Sequence, residues 1–119
     1  MKKFEFSYYN EKEFEEFLDK LPVKEMEKLI LRISNIEEAG FRISSRQKWT
    51  KKLVGYVNLL EIRSNFSNDI IRALFFHSST GQYVITHAFK KKSQKTPLSE
   101  INKALSRMKD YEKKNGGKD

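Results

Sequence analysis

A chain of 119 residues with 38% hydrophobic content, nine Phe and five Tyr among them, is sized for one folded domain around one core. It has no cysteine, which removes disulfides, thiolate metal sites and cysteine nucleophiles together, and no apolar run long enough for a signal peptide or a membrane span, so a cytoplasmic location is expected. The formal charge of +8 is lopsided: residues 1–40 hold seven Lys and Arg against ten Asp and Glu, and residues 41–119 hold seventeen against six. Charge kept only for solubility is interspersed, so this concentration reads as an electrostatic footprint for nucleic acid.

Met1 to Tyr9 alternates, with Phe4, Phe6 and Tyr8 on one side and Lys3, Glu5 and Ser7 on the other, and predicts a half-buried strand. Asn10 followed by Glu13 has the spacing of a capping box, after which Phe14, Phe17, Leu18 and Leu21 share a helical face. Pro22 suits the first turn of a second helix, whose apolar positions Val23, Met26, Leu29, Ile30, Ile33 and Ile36 keep helical spacing until Gly40. Two adjacent amphipathic helices predict an αα-hairpin on one face of a sheet.

Phe41 to Leu53 has no clear period and carries Arg42, Arg46, Lys48, Lys51 and Lys52 without an acid, so a basic loop anchored by Trp49 is expected. Three strands follow, over Asn58 to Ser64, Ile70 to His77 and Gln82 to Phe89 or Lys90. The turn formers between them, Asn65-Phe66-Ser67-Asn68 and Ser78-Ser79-Thr80-Gly81, predict an antiparallel meander. Turns centred near Phe66 to Asp69 and on Ser79-Thr80 place Arg63, Arg72 and His87 in one row on one face. Thr96-Pro97 is a helix start, and Leu98, Ile101, Leu105 and Met108 form the apolar stripe of a last helix. The expected product is one α+β domain over residues 1–112. Its antiparallel sheet joins the N-terminal strand to the meander, and a disordered basic tail occupies 113–119.

Lys90, Lys91, Lys92 and Lys95 lie within six positions with no acid among them. They repel one another, so they are either a solvated surface loop or a site that a polyanion neutralises. Arg63 and Arg72 interrupt largely apolar strands, and a buried guanidinium needs solvent, a carboxylate or a ligand. For Arg63 the alternatives are an ion pair with Glu61 or Asp69 and a contact to phosphate; the strand of Arg72 offers no acid. His77 ends a strand as a surface histidine, and His87 is either a satisfied structural histidine or a proton carrier. The two histidines are ten positions apart with no carboxylate cluster, so no metal site and no cofactor are expected.

The element order, the segment Leu59-Leu60-Glu61-Ile62-Arg63, the strand centred on Arg72 and above all His87-Ala88-Phe89-Lys90-Lys91-Lys92-Ser93-Gln94-Lys95-Thr96-Pro97 resemble the HigB-like branch of the RelE/ParE toxin superfamily. The last segment is similar to that family's His-small-Phe-x-Lys-Lys-x-x-Lys-Thr-Pro signature. The resemblance implies a RelE-like fold and the toxin of a type II toxin–antitoxin pair, a metal-independent ribonuclease that cuts messenger RNA in the ribosomal A site. By position it implies Arg72 near the scissile phosphate and Lys90 or Lys91 as the basic residue after the last strand. His87 or a lysine remains the proton carrier. Arg63, Lys92, Lys95, Arg46, Lys48, Lys51 and Lys52 complete the expected RNA-binding set. The implied partners are the ribosome, messenger RNA and a cognate HigA-like helix-turn-helix antitoxin in a hetero-oligomer, with no membrane. Two other functions stay open, a ParE-like poison of DNA gyrase and a nucleic-acid-binding module without chemistry. The RelE branch has lysines where this chain has Leu59 and Glu61, and its aromatic after the basic stretch has no counterpart before Tyr111.

Overall fold

The capping pattern at Asn10 forms as the spacing requires: its side chain accepts the Glu13 N–H at 3.0 Å and opens α1 (Glu11–Asp19). α2 (Val23–Ala39) begins after Pro22 and ends at Gly40, whose φ of 82° and ψ of 173° belong to a region that glycine alone enters freely. The computed structural model describes residues 1–92 and 94–116. Ser93 of the basic signature and residues 117–119 of the expected tail lie outside them.

The stretch Phe41 to Leu53 is not a loop. It contains a short helix, α3 (Phe41–Arg46), and a strand, β2 (Thr50–Lys52), which pairs antiparallel with β3 (Leu60–Phe66). Three residues are too few to show a period, which is why the strand has no signature of its own. Trp49 packs partly buried against the core, under the guanidinium of Arg32 at 5.5 Å.

The meander forms as β3, β4 (Asp69–His77) and β5 (Tyr83–Lys91), followed by α4 (Leu98–Tyr111) and a π-helical turn, Glu112–Gly116. The N-terminal strand departs from expectation in length and direction. Only Ser7 and Tyr8 pair as β1, and they run parallel to β5, so the sheet is mixed, in the order β1-β5-β4-β3-β2. The cause is local: the Phe6 N–H is taken by the Glu37 carboxylate at 2.9 Å and Lys3 N–H by the Glu37 carbonyl at 2.8 Å. The segment before Ser7 is therefore tied to α2 and not to a ladder.

The sheet separates two cores. On one face Phe6, Phe14, Leu29, Ile36, Ile62 and Phe75 join it to α1 and α2; on the other Leu59, Leu74 and Phe89 meet Ile101 and Ala104 of α4. Arg107 clamps α4 in place, forking onto both oxygens of Glu13 at 2.7 and 2.9 Å and donating to the Thr86 carbonyl at 3.0 Å.

Arg63 stands opposite Arg72, as the first turn predicts, but Arg72 stands opposite Phe89 and not His87. Two features displace the row. The β4–β5 turn closes on His77 and Tyr83, one residue longer than a turn centred on Ser79-Thr80. Thr86 is then extra, because Leu74 pairs with His87 while Phe75 pairs with Ile85. The bulge also turns His87 from the α2 face to the α4 face. Arg63, Arg72, His87 and Phe89 therefore share one side of the sheet, with His87 two residues along from the expected position.

Candidate functional site

A cleft of about 430 Å³ opens where β2 and the β2–β3 loop face the β5–α4 junction. Lys51, Lys52, Leu53, Val54 and Tyr56 form one wall, Gln94, Lys95, Thr96, Leu98 and Ile101 the other, and Glu61 and Arg63 lie at its base. The wall from β2 is held in shape by Leu53 N–H donating to the Leu59 carbonyl at 3.0 Å and by Gly55, whose φ of 90° turns the loop. Asn58 fixes the other end of that loop to β4 by exchanging two bonds, of 2.8 and 2.9 Å, with the main chain of His77.

Beneath the cleft lies a buried ionic group. Glu61 is wholly buried and pairs with Nε of Arg63, accepts from the Thr96 hydroxyl at 2.7 Å and stands 3.9 Å from Nε of Arg72. Arg72 is also wholly buried; its two terminal nitrogens donate to the carbonyls of Gln94 at 2.6 Å and Lys95 at 3.1 Å. Arg63, partly exposed, donates to the same Gln94 carbonyl at 2.7 Å. Burial lowers the pKa of Arg72 and Glu61 opposes that, but an arginine remains charged. The carboxylate expected of Arg63 is thus Glu61, and Arg72 shares it. Both arginines shape the loop that carries the lysines.

The other expected residues divide. Lys51, Lys52 and Lys95 line the cleft with Arg63, while Lys91 and Lys92 are exposed just before it, Lys91 on the same side of the sheet as Arg72. Arg46 and Lys48 are exposed on the approach to β2 and do not line it. Lys90 is on the other side of the sheet: it pairs with Ile71, and its ammonium lies 2.7 Å from Glu25 of α2 and 3.4 Å from Asp69, which raise its pKa. It does not join Arg72. His87 is buried beneath α4, with Nε2 2.9 Å from Glu100 and Nδ1 3.1 Å from the Thr86 hydroxyl. Desolvation lowers its pKa, against the pull of Glu100, so at neutral pH the ring is uncharged, with Nε2–H donating to Glu100.

A larger hollow of about 760 Å³ lies between the N-terminal segment, α1 and α2, but Glu5, Glu11, Glu15 and Glu37 line it against a single Lys2. Burial and the neighbouring Glu37 and Glu11 push the Tyr8 phenol up to about 12 there. A polyanion is repelled by that surface, whereas the smaller cleft meets it with Lys51, Lys52 and Lys95. Sequence reasoning missed Tyr56, Val54 and Leu98 as cleft residues. The available signal was the run Leu53-Val54-Gly55-Tyr56-Val57, apolar side chains around a glycine in a segment with no period.

Fold and cleft together define a small α+β protein with an apolar-walled, lysine-rimmed cleft at its last strand–helix junction. The chain belongs to the phage-derived Gp49-like family: the model described as Phage derived protein Gp49-like (DUF891) matches residues 16–109, from within α1 almost to the end of α4. That family is associated with the toxins of toxin–antitoxin systems, and such a family implies a cognate antitoxin as partner. No match to a curated protein was found. Among the described residues no helix is long and apolar enough to cross a membrane.

Proposed function

We propose that the chain is a HigB-like toxin that arrests translation by cutting messenger RNA on the ribosome, and that a HigA-like helix-turn-helix antitoxin holds it in check. The observation that carries this reading is the charge of the cleft. Lys51, Lys52 and Lys95 stand around it, and Glu61, the one acid among the described residues lining it, is already neutralised by Arg63 and Arg72. A ribose-phosphate chain entering there meets positive charge without a competing carboxylate among the described residues.

Metal-independent cleavage requires the 2′-hydroxyl to lose a proton, the phosphorane to be stabilised and the 5′-oxygen to be protonated. The cleft lysines suit the second task, with Lys91 and Lys92 drawing in the strand. Arg72 acts through the loop, fixing the carbonyls of Gln94 and Lys95 so that Lys95 and Thr96 stay at the wall. Buried His87 positions α4 through Glu100. A lysine is then the better proton carrier, and alignment of the message by the ribosome supplies much of the remaining rate.

The test is primer extension on messages in a translating extract. Codon-phased cuts that disappear in Lys51→Gln/Lys95→Gln support the ribonuclease; intact messages with trapped gyrase cleavage complexes overturn it. The burial of both Arg72 and His87 favours one second reading, a nucleic-acid-binding module without chemistry. That reading gains if messages stay intact and binding simply weakens with salt.

A further inference from the structure

The walls of the cleft are unusual for a surface that meets only phosphates. Val54 on the β2–β3 loop is 90% exposed and Leu98 at the start of α4 is 63% exposed, while Tyr56, which lines the cleft with them, is half-buried against the α4-side core. Exposed apolar side chains clustered at a concave site mark a place where something apolar binds. About 430 Å³ lies within the range of small-ligand pockets and is too little for a partner helix. The rim lysines, Lys51, Lys52 and Lys95, specify that the occupant carries negative charge on either side of its apolar part. An unstacked base flanked by phosphates has this chemistry, and single-stranded RNA presents it.

We propose that the cleft between the β2–β3 loop and the β5–α4 junction takes one unstacked nucleobase of single-stranded RNA against Tyr56, between Val54 and Leu98, with Lys51, Lys52 and Lys95 on the adjoining phosphates. This rests on reading the cleft as the RNA site and adds to it the group the apolar walls receive. Tyr56 is a positioning residue. Seating one base beside it fixes the register of the strand, so the susceptible phosphate is set by where that base lies and not by charge, which is uniform along the chain.

The test uses the full chain and two synthetic ligands of equal length built on 2′-O-methyl sugars, which cannot be cut. One is a ribose-phosphate chain without bases; the other carries a single 2-aminopurine in the middle. The base-bearing ligand is expected to bind about tenfold tighter, within the range of one base stacked on an aromatic. Its fluorescence is expected to fall on binding. Both effects are expected to vanish in Tyr56→Ala and persist in Tyr56→Phe, whereas Lys51→Gln weakens the two ligands by the same factor. Equal affinity for the two ligands, no binding of either, or an advantage that survives Tyr56→Ala overturns the proposal. So does release of the cognate antitoxin by Tyr56→Ala with the base advantage intact, which gives the pocket to a protein partner. Codon-phased message cutting together with equal affinities sinks the base pocket and leaves the ribonuclease standing. Stacking without any cutting does the reverse.

Discussion

Arg63 and Arg72 face each other directly across β3 and β4, and both guanidinium groups donate to one main-chain atom, the carbonyl oxygen of Gln94. Like charges directly opposite on a sheet repel. They are held together by Glu61, which lies with Arg72 wholly out of solvent and takes the Thr96 hydroxyl as well. The positive charge that reaches solvent at the cleft therefore comes mainly from lysines, and the arginines set the backbone that displays one of them, Lys95.

This arrangement makes Arg72→Ala a stability variant before it is a functional one. Glu61 loses one of its two guanidinium neighbours but keeps Arg63 and the Thr96 hydroxyl, so the electrostatic loss falls below the roughly 3–5 kcal/mol of a buried pair broken outright. Two loop carbonyls lose a donor as well. Against the roughly 5–15 kcal/mol that holds a small domain folded, the loss is large. Urea unfolding of Arg72→Ala is expected to show it, with Arg72→Lys also destabilised because one ammonium does not reproduce the fork. A stability within about 1 kcal/mol of the parent would show that the buried group is not what holds the loop.

Lys51 and Lys90 carry the same charge on opposite sides of the sheet, and binding measurements separate them. Lys51 lines the cleft, while Lys90 is engaged by Glu25 and Asp69 beside α2. With a single-stranded oligoribonucleotide, Lys51→Gln is expected to weaken binding and to reduce the slope of log affinity against log salt by about 0.7, the share of one phosphate contact. Lys90→Gln is expected to leave affinity and slope unchanged. Equal effects from the two would mean that the strand does not follow the cleft.

The fold was legible wherever a period ran long enough. The apolar spacing from Val23 to Ile36 and from Leu98 to Met108 located two helices, and the turn at Ser67-Asn68 fixed Arg63 against Arg72. β2 escaped because it spans three residues. The direction of β1 escaped because alternation marks a strand without saying which neighbour it takes. In the site, the motif from His87 to Pro97 drew attention to the junction where the cleft lies, but the resemblance offered Lys90 or Lys91 by position alone, although adjacent strand residues face opposite ways. The bulge at Thr86 left no mark in the sequence, since Thr is an ordinary strand residue and the extra position shows only against its partner.

Gly40 has a role that its neighbours make specific. It ends α2 and starts α3 at a φ of 82°, and an added Cβ would come within 3.1 Å of the Lys3 side chain. The lysine chain is flexible enough to yield, so the backbone term dominates. Gly40→Ala is expected to cost about 1–3 kcal/mol for a non-glycine residue in that region. Because α3 leads straight into β2, the variant is also expected to loosen the wall that carries Lys51 and Lys52. Hydrogen exchange should show faster loss of protection at the β2–β3 pairing than at β4–β5, and uniform loss would deny that link.

His87 gives the protein a pH dependence of definite sign. Burial holds its pKa below the ordinary histidine value near 6.5, with the positive charges of Lys103 and Arg107 acting in the same direction and Glu100 opposing them. In the unfolded chain the ring has the ordinary value, so as pH falls past about 6.5 the unfolded state takes up the proton first. The stabilisation is therefore complete above that pH and is lost progressively as pH falls through the folded pKa, below which His87 contributes no further change. Glu13, held low by the Arg107 fork, acts with the same sign at more acid pH, so the two losses follow one another. His87→Gln keeps an N–H for Glu100 and has nothing to titrate. Urea unfolding from about pH 7.5 down to about pH 5 is expected to show a falling midpoint in the parent and a flatter profile in His87→Gln. A parent whose stability rises over that interval would mean that the native ring is charged and paired with Glu100, the opposite of the burial-dominated state.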